Sequence, residues 1–412
     1  MKVLLISAYF PMKLDDPARS FVRDEAFELS KAGVDVYVAR WRYAGRFFNT
    51  MDSGVNGIHV HGLKLFSPIG LSIGFSNVWR LPISLFSLKE LGRTGVLFSY
   101  GKQVERIVKR NNIDIIHGHF AYPDGFVGSV AKSYTDKPLV ISVWGYDVDS
   151  DPKIGYGALS RKDTAYLVRE ALMAADATIV GAESHYKTVI QLISKERIHK
   201  VHFIRAGIDT IRFNSNVDGR RVRRELGLRD NQPVVLFARH LEPVYGTEYL
   251  IKAIPYMIGR CPNVVVLILG EGPLLADLQR LVDSLKVANH VKFLGQIPKT
   301  DMPYYHAVSD IFVDPCIMGQ GYAALEALSC GKPVVGFKVG QIKVREGVNG
   351  FLVELGDIEG LADRLLQLIE QPHIRKEMGE KGRRTIEKNY SLGSRINDIL
   401  RIYNSFCVDN RK

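Results

Sequence analysis

Short, continuous apolar runs alternate along this chain with segments of helical period, and they do so in two separate series. The first series contains MKVLLISAYF at the start, then Val34–Ala39, Ile113–Phe120, Leu139–Trp144, Ala177–Val180 and Val201–Ile204. The second contains Val234–Ala238, Val264–Leu269, Val291–Leu294, Asp310–Val313 and a run opening at Val334. Helical patterns lie between them. In Phe21–Ala32, Val22, Ala26 and Leu29 share one face and Gly33 stops the pattern; Thr247–Ile258 has the same character. Runs that are apolar at every position are strands covered on both faces, and a strand–helix–strand rhythm demands a parallel sheet flanked by helices. The polar, glycine-bearing segment 205–219 (RAGIDTIRFNSNVDG) separates the two series. The chain is therefore read as α/β, with two Rossmann-like parallel-sheet domains, 1–205 and 206–390, facing each other across a cleft. Two helical segments, about 373–389 and 391–406, close it, and 412 residues suffice for this plan.

Val313–Gly336 (VDPCIMGQGYAALEALSCGKPVVG) is the most informative stretch. It reads as strand, glycine-rich loop, helix from about Tyr322 to Cys330, glycine stop at Gly331, strand. Pro315 ends the first strand because it cannot donate to a ladder, and Gly319 and Gly321 allow a tight turn and close approach to a ligand. A loop of this kind entering a helix is an anion site, since free N–H groups and the helix dipole point the same way. Glu326, one turn in, could accept hydrogen bonds from a ribose diol. A solvated helix glutamate beside an ordinary turn is the competing reading at this spacing.

Ligands of parallel sheets bind beyond the carboxyl ends of the strands. His119, Trp144, Gly145 and Asp147 stand at such ends in the first series. Residues 64–100 differ from the rest: between Leu65 and Leu88 the only charge is Arg80. With Trp79 and several phenylalanines, this stretch fits either a lipid interface or a loop and helix buried on the core. No uninterrupted apolar run is long enough for a spanning helix. The N-terminal run has one lysine, no small-residue cleavage site and an immediate Pro11, so it reads as a first strand rather than a signal sequence. Net charge is +11, of which +7 falls in residues 1–205. That excess suits an anionic partner: a membrane surface, a phosphorylated substrate or, last for want of any recognisable module, nucleic acid. The four cysteines, Cys261, Cys316, Cys330 and Cys407, lack metal-ligand spacing and fit a reducing, cytoplasmic compartment.

Taken together, IHGHFAYPDG (Ile116–Gly125), VWGYDV (Val143–Val148), IRAGIDTIRF (Ile204–Phe213), LEPVYGTEYLIKAI (Leu241–Ile254), GEGP, FLGQIP (Phe293–Pro298), LEALSCGKPVVG (Leu325–Gly336) and GVNGFLVELGD (Gly347–Asp357) resemble the retaining glycosyltransferases of family 4. Their order and spacing extend the resemblance over nearly the whole chain. It implies the two-Rossmann GT-B fold, with the last helices crossing back to the first domain. It also implies a nucleotide-sugar donor on the second domain, UDP-linked before GDP-linked, and an acceptor on the first. Backbone groups of Gly270–Gly272 and Gly295–Gln296–Ile297 would face the base. Glu326 would bind the ribose, and Gly319, Gln320 and Gly321 would face phosphate or sugar. Trp144 and Gly145 fall on the acceptor side, with His119 and Asp147 as catalytic candidates there. The resemblance implies no metal. It implies front-face departure and attack, in which catalysis is positioning plus stabilisation of the departing diphosphate. The acceptor expected is lipid-linked or polysaccharide, at the cytoplasmic membrane face, with peripheral membrane contact.

The sequence departs from the family pattern at several site positions. His240 and Tyr245 stand where an arginine and a lysine are usual, with Arg239 one residue away as a substitute. Met318 replaces the first of two glutamates, and Trp144 a histidine. Each charge-assisted hydrogen bond lost from a diphosphate is worth about 1.5–3 kcal/mol. Arg239, Lys338, Lys343 or Arg345 would have to compensate. The alternative is a catalytically weak or inactive subunit that binds a nucleotide sugar or a partner enzyme.

Overall fold

The computed structural model describes residues 1–8, 10–11, 20–41, 53–55, 57–64, 82, 87–318, 321–339 and 343–409. The chain divides into two compact units: residues up to Arg205 together with the chain from Arg395 onward, and Ala206–Ser394.

The first unit is built on eight strands: β1 (Lys2–Ser7), β2 (Asp35–Arg40), β3 (Ser53–Val55), β4 (Ile58–Gly62), β5 (Ile115–His119), β6 (Leu139–Ser142), β7 (Ala177–Val180) and β8 (Val201–Phe203). Their order is β3-β4-β2-β1-β5-β6-β7-β8, parallel throughout except for the β3–β4 pair. Chain order reverses between β1 and β5, which places a topological switch point at their carboxyl ends.

The Leu88–Asn111 helix resolves part of the ambiguous 64–100 stretch. Ser87 caps it: the Ser87 hydroxyl accepts from the Glu90 N–H, and the Glu90 carboxylate accepts from the Ser87 N–H at 2.8 Å. Leu97, Tyr100, Val104 and Val108 are then buried in the core beside Val127 and Val130. A Cβ on Gly101 would come within 2.4 Å of Val130, so the glycine lets two helices approach. From Leu97 on, this segment is core; residues 65–81 and 83–86 lie outside the described residues.

The Leu392–Asp409 helix is fastened to the first unit by charge as well as packing. The Arg395 guanidinium donates to Glu25 at 2.7 Å and to the Arg205 carbonyl at 3.1 Å, with both side chains buried. Two turns on, the Tyr403 hydroxyl lies 2.5 Å from Nδ1 of His117.

The second unit has six parallel strands: β9 (Val234–Ala238), β10 (Val265–Leu269), β11 (Val291–Gly295), β12 (Ile311–Asp314), β13 (Val334–Phe337) and β14 (Gly350–Val353), in the order β11-β10-β9-β12-β13-β14. Val235, Phe237, Ile311 and Val313 enter the core on one face; Val234, Leu236 and Phe312 enter the core on the other. That two-sided burial is why these runs are continuously apolar rather than alternating. The switch point falls between β9 and β12.

Removing one partner of a buried ion pair leaves an uncompensated charge, at a cost of about 3–5 kcal/mol. Glu25→Ala and Arg395→Ala are each expected to lower the chemical-denaturation midpoint of the first unit markedly, and Glu25→Met/Arg395→Met to recover most of the loss. Single changes that leave the midpoint in place would show that the pair does not hold the last helix.

Candidate active site

The second unit places two ion pairs at the carboxyl end of its sheet. Asp314 is the last residue of β12 and Arg239 the first beyond β9, so adjacent strands deliver them to the switch point. The Arg239 guanidinium donates two hydrogen bonds to the Asp314 carboxylate, at 3.2 and 2.6 Å, and lies 5.4 Å from the Tyr245 ring. Asp314 is fully buried. Burial works against the arginine's charge, but the Asp314 carboxylate outweighs it and holds the guanidinium above its ordinary range. The Arg239 charge therefore persists and is paired with Asp314.

The second pair joins Glu326 and Lys299. Gly321, at φ 67, turns the chain into the Tyr322–Ser329 helix, and its carbonyl accepts from the Leu325 N–H at 3.0 Å. Glu326 is only 6% exposed, which excludes the solvated glutamate. Oε1 of Glu326 is paired with Nζ of Lys299, which follows β11 and also sits 4.8 Å over the Phe213 ring. Lys299 carried no signal in the sequence; it is one lysine in a polar turn. Asp314 had one that went unused, an acid closing an apolar run.

Gly270 and Gly272 are explained by packing. A Cβ on Gly270 would meet the Arg239 carbonyl oxygen at 1.9 Å, and one on Gly272 the Leu241 carbonyl oxygen at 2.4 Å. The turn is laced by Gly270 N–H to the Gly295 carbonyl (2.8 Å) and Leu241 N–H to the Glu271 carbonyl (3.0 Å). The Gly270 N–H is thus already engaged. His240 is exposed and donates from Nδ1 to the Glu271 carbonyl at 3.2 Å. Gln296 is exposed and Ile297 packs on the core. Gly319 and Gln320 lie outside the described residues.

Lys338 is exposed and paired with Glu354. Arg345 lies at the opposite end of the sheet: its N–H donates to Asn349, whose carbonyl accepts from Val334 at the start of β13. Lys343 belongs to that same segment, its carbonyl 3.5 Å from the Asn349 amide nitrogen.

In the first unit, Asp147 clamps two loops together. It is fully buried, and its carboxylate accepts from the N–H groups of Ala121 (2.7 Å), Trp144 (3.0 Å) and Gly145 (3.1 Å). It thereby sews the loop after β6 to the loop after β5. Burial raises its pKa, with those N–H groups opposing. Gly145 adopts φ 120, with Asp149 alongside. The Trp144 ring packs 4.4 Å from Phe21, stacks on His119 at 5.9 Å, and has the Arg395 guanidinium over it at 4.8 Å.

His119 is fully buried, 3.6 Å from Glu25, and neither ring nitrogen has a hydrogen-bond partner among the described residues. Burial and the Arg395 charge push its pKa down to about 3, so it is neutral at physiological pH. Glu25, His117 and His119 bring metal-ligand types within 4.8 Å of one another. However, His117 is engaged by Tyr403 and by Ser142 at 2.9 Å, and Arg395 already supplies Glu25 with a positive charge. Full burial encloses His119 behind the strand ends.

Comparison with known proteins agrees with the architecture. Residues 18–212 match the model of Glycosyltransferase Family 4, and residues 218–385 that of Glycosyl transferases group 1. A GDP-mannose-dependent alpha-(1-6)-phosphatidylinositol monomannoside mannosyltransferase of Mycolicibacterium smegmatis is 30% identical over 312 residues, 72% of this chain and 79% of that protein. The chain belongs to the family 4 glycosyltransferases. It is a hexosyltransferase-type enzyme with the GT-B pair of Rossmann-like domains. The N-acetyl-alpha-D-glucosaminyl L-malate synthase of Bacillus anthracis is 22% identical over 86% of this chain and 91% of its own length. Among solved structures, sucrose-phosphate synthase of Thermosynechococcus elongatus shares the fold at TM-score 0.79 and 19% identity, covering 99% of both chains. Anabaena HepE in complex with UDP and glucose does so at 0.73 and 19%, covering 98% of this chain and 100% of its own. Among the described residues no helix is long and apolar enough to cross a membrane.

His306 in the second unit matches His119: buried, with its pKa pushed down to about 3 by burial and the Lys299 and Lys332 charges. A group that binds its proton less readily when folded contributes stability above its unfolded pKa, about 6.5, and loses it as pH falls toward the folded value. Stability is expected to decline from about pH 6.5 toward 3, and His119→Phe/His306→Phe to flatten that decline. An unchanged slope in melts across this range would contradict the assignment.

Proposed function

We propose that this enzyme transfers a hexose, with retention of anomeric configuration, from a nucleotide-sugar donor held by the second unit to a lipid-linked or polysaccharide acceptor held by the first. The observation that carries the reading is Glu326: a nearly buried carboxylate, one turn into a helix entered through a left-handed glycine, at the carboxyl end of a parallel sheet. A carboxylate accepts from both hydroxyls of a ribose, and the helix N-terminus offers N–H groups to the diphosphate. The relatives support the donor class: GDP-mannose for the mycobacterial mannosyltransferase, and UDP with glucose in HepE.

With the Arg239 charge paired to Asp314, backbone N–H groups and the helix dipole share in stabilising the departing diphosphate, and the rate rests on positioning. The front-face course, with the leaving phosphate taking the acceptor proton, needs no protein base, which agrees with Asp147 serving as a clamp. Peripheral contact with the cytoplasmic membrane face is part of the same reading and rests on the positive balance of residues 1–205.

A ligand bound only by the folded state raises the melting temperature. A thermal-shift screen over UDP-glucose, UDP-N-acetylglucosamine and GDP-mannose is expected to give a rise with at least one of them, abolished in Glu326→Ala. Transfer of the responding sugar should then leave the product with the donor's anomeric configuration by NMR. No shift with any donor, or an inverted product, would overturn the reading.

A further inference from the structure

Lys299 stands outside the residues assigned to donor binding, yet it is the ion-pair partner of the carboxylate on which that assignment rests. Its Nζ meets Oε1 of Glu326, with the two side chains 15% and 8% exposed. Among the described residues no hydrogen bond reaches Oε2 of Glu326, and that oxygen is not sealed from solvent. One oxygen is therefore neutralised and fixed, while its neighbour remains available to accept. The ammonium is itself held over the Phe213 ring at 4.8 Å. The nearby His306 is neutral and offers no rival positive charge.

We propose that Lys299 is a positioning residue that fixes Glu326 for the ribose diol, and so makes the enzyme selective for ribonucleotide over deoxyribonucleotide sugars. The inference rests on the donor reading above. A carboxylate this buried is stable only when paired, and one already fixed loses little freedom when a ligand arrives. Without the ammonium, Glu326 turns or draws in water, and the two sugar hydroxyls lose a rigid acceptor. The phosphates and base are held elsewhere, so their share of the affinity remains.

The test measures equilibrium binding of UDP and GDP, each beside its 2′,3′-dideoxy form, to the full chain and its variants. The unaltered protein is expected to prefer the ribonucleotide by about tenfold or more, the discrimination that one charge-assisted hydrogen bond provides. Lys299→Met should bring that preference below about threefold while dideoxynucleotide affinity is unchanged, and Lys299→Arg should restore most of it. With a donor, Lys299→Met should raise KM and leave kcat nearly unaltered. Lys299→Gln is the second variant should the methionine not fold, with the same loss expected. Lys299→Met/Glu326→Gln should fall no further than Glu326→Gln alone, because both changes remove one interaction. Equal weakening of ribo- and dideoxynucleotide binding would overturn the assignment of Lys299 while leaving the donor reading in place. Failure of the unaltered protein to bind either nucleotide would overturn the donor reading and this inference with it.

Discussion

Asp314 sets the electrical character of the second unit's strand ends. A parallel sheet brings the carboxyl ends of its strands together, and the reversal of chain order between β9 and β12 opens a gap there. Arg239 enters that gap from β9, and Asp314 answers it from β12 with two hydrogen bonds. Glu326 and Lys299 repeat the arrangement one helix away. Arg239 and Lys299 are thus each matched by a buried carboxylate. Under the donor reading, backbone N–H groups at the helix N-terminus share in holding the diphosphate charge. Such an enzyme depends on rigid placement, and both ion pairs supply it.

The first unit uses buried carboxylates in a related way. Asp124 accepts from the Ala8 N–H at 2.9 Å, joining the segment after β5 to the end of β1, and Asp147 gathers three N–H groups from the loops after β5 and β6. Glu25 fixes Arg395, and Arg395 covers Trp144. These acids shape the strand-end surface, and the neutral His119 lies buried behind it, stacked on the Trp144 ring.

The architecture was legible because hydrophobic periodicity reports burial directly. Each run of the two series became a strand, and Thr247–Ile258 matches its expected helix residue for residue. The β3–β4 hairpin escaped because a three-residue strand has no period to detect. The helix from Leu88 was hidden by a long weakly charged stretch, although Ser87 and Glu90 were a readable capping box. The site was legible in its backbone and less so in its charges. Gly321 and Glu326 could be placed from spacing. Whether Arg239 is free, whether Asp147 is a base and what faces Glu326 all depend on contacts between residues far apart in the chain. Asp314 lies 75 positions from Arg239, and Glu326 lies 27 from Lys299. No local pattern encodes such a distance.

The position of a bound nucleotide relative to Glu326 decides the donor site. The most direct measurement is a crystal structure of the full chain soaked with UDP or GDP. The account predicts ribose hydroxyls within hydrogen-bond distance of the Glu326 carboxylate, Lys299 still on its other oxygen, and the diphosphate against the N-terminus of the Tyr322–Ser329 helix. A nucleotide bound away from that helix, or one whose ribose faces solvent while Glu326 contacts only Lys299, would contradict it.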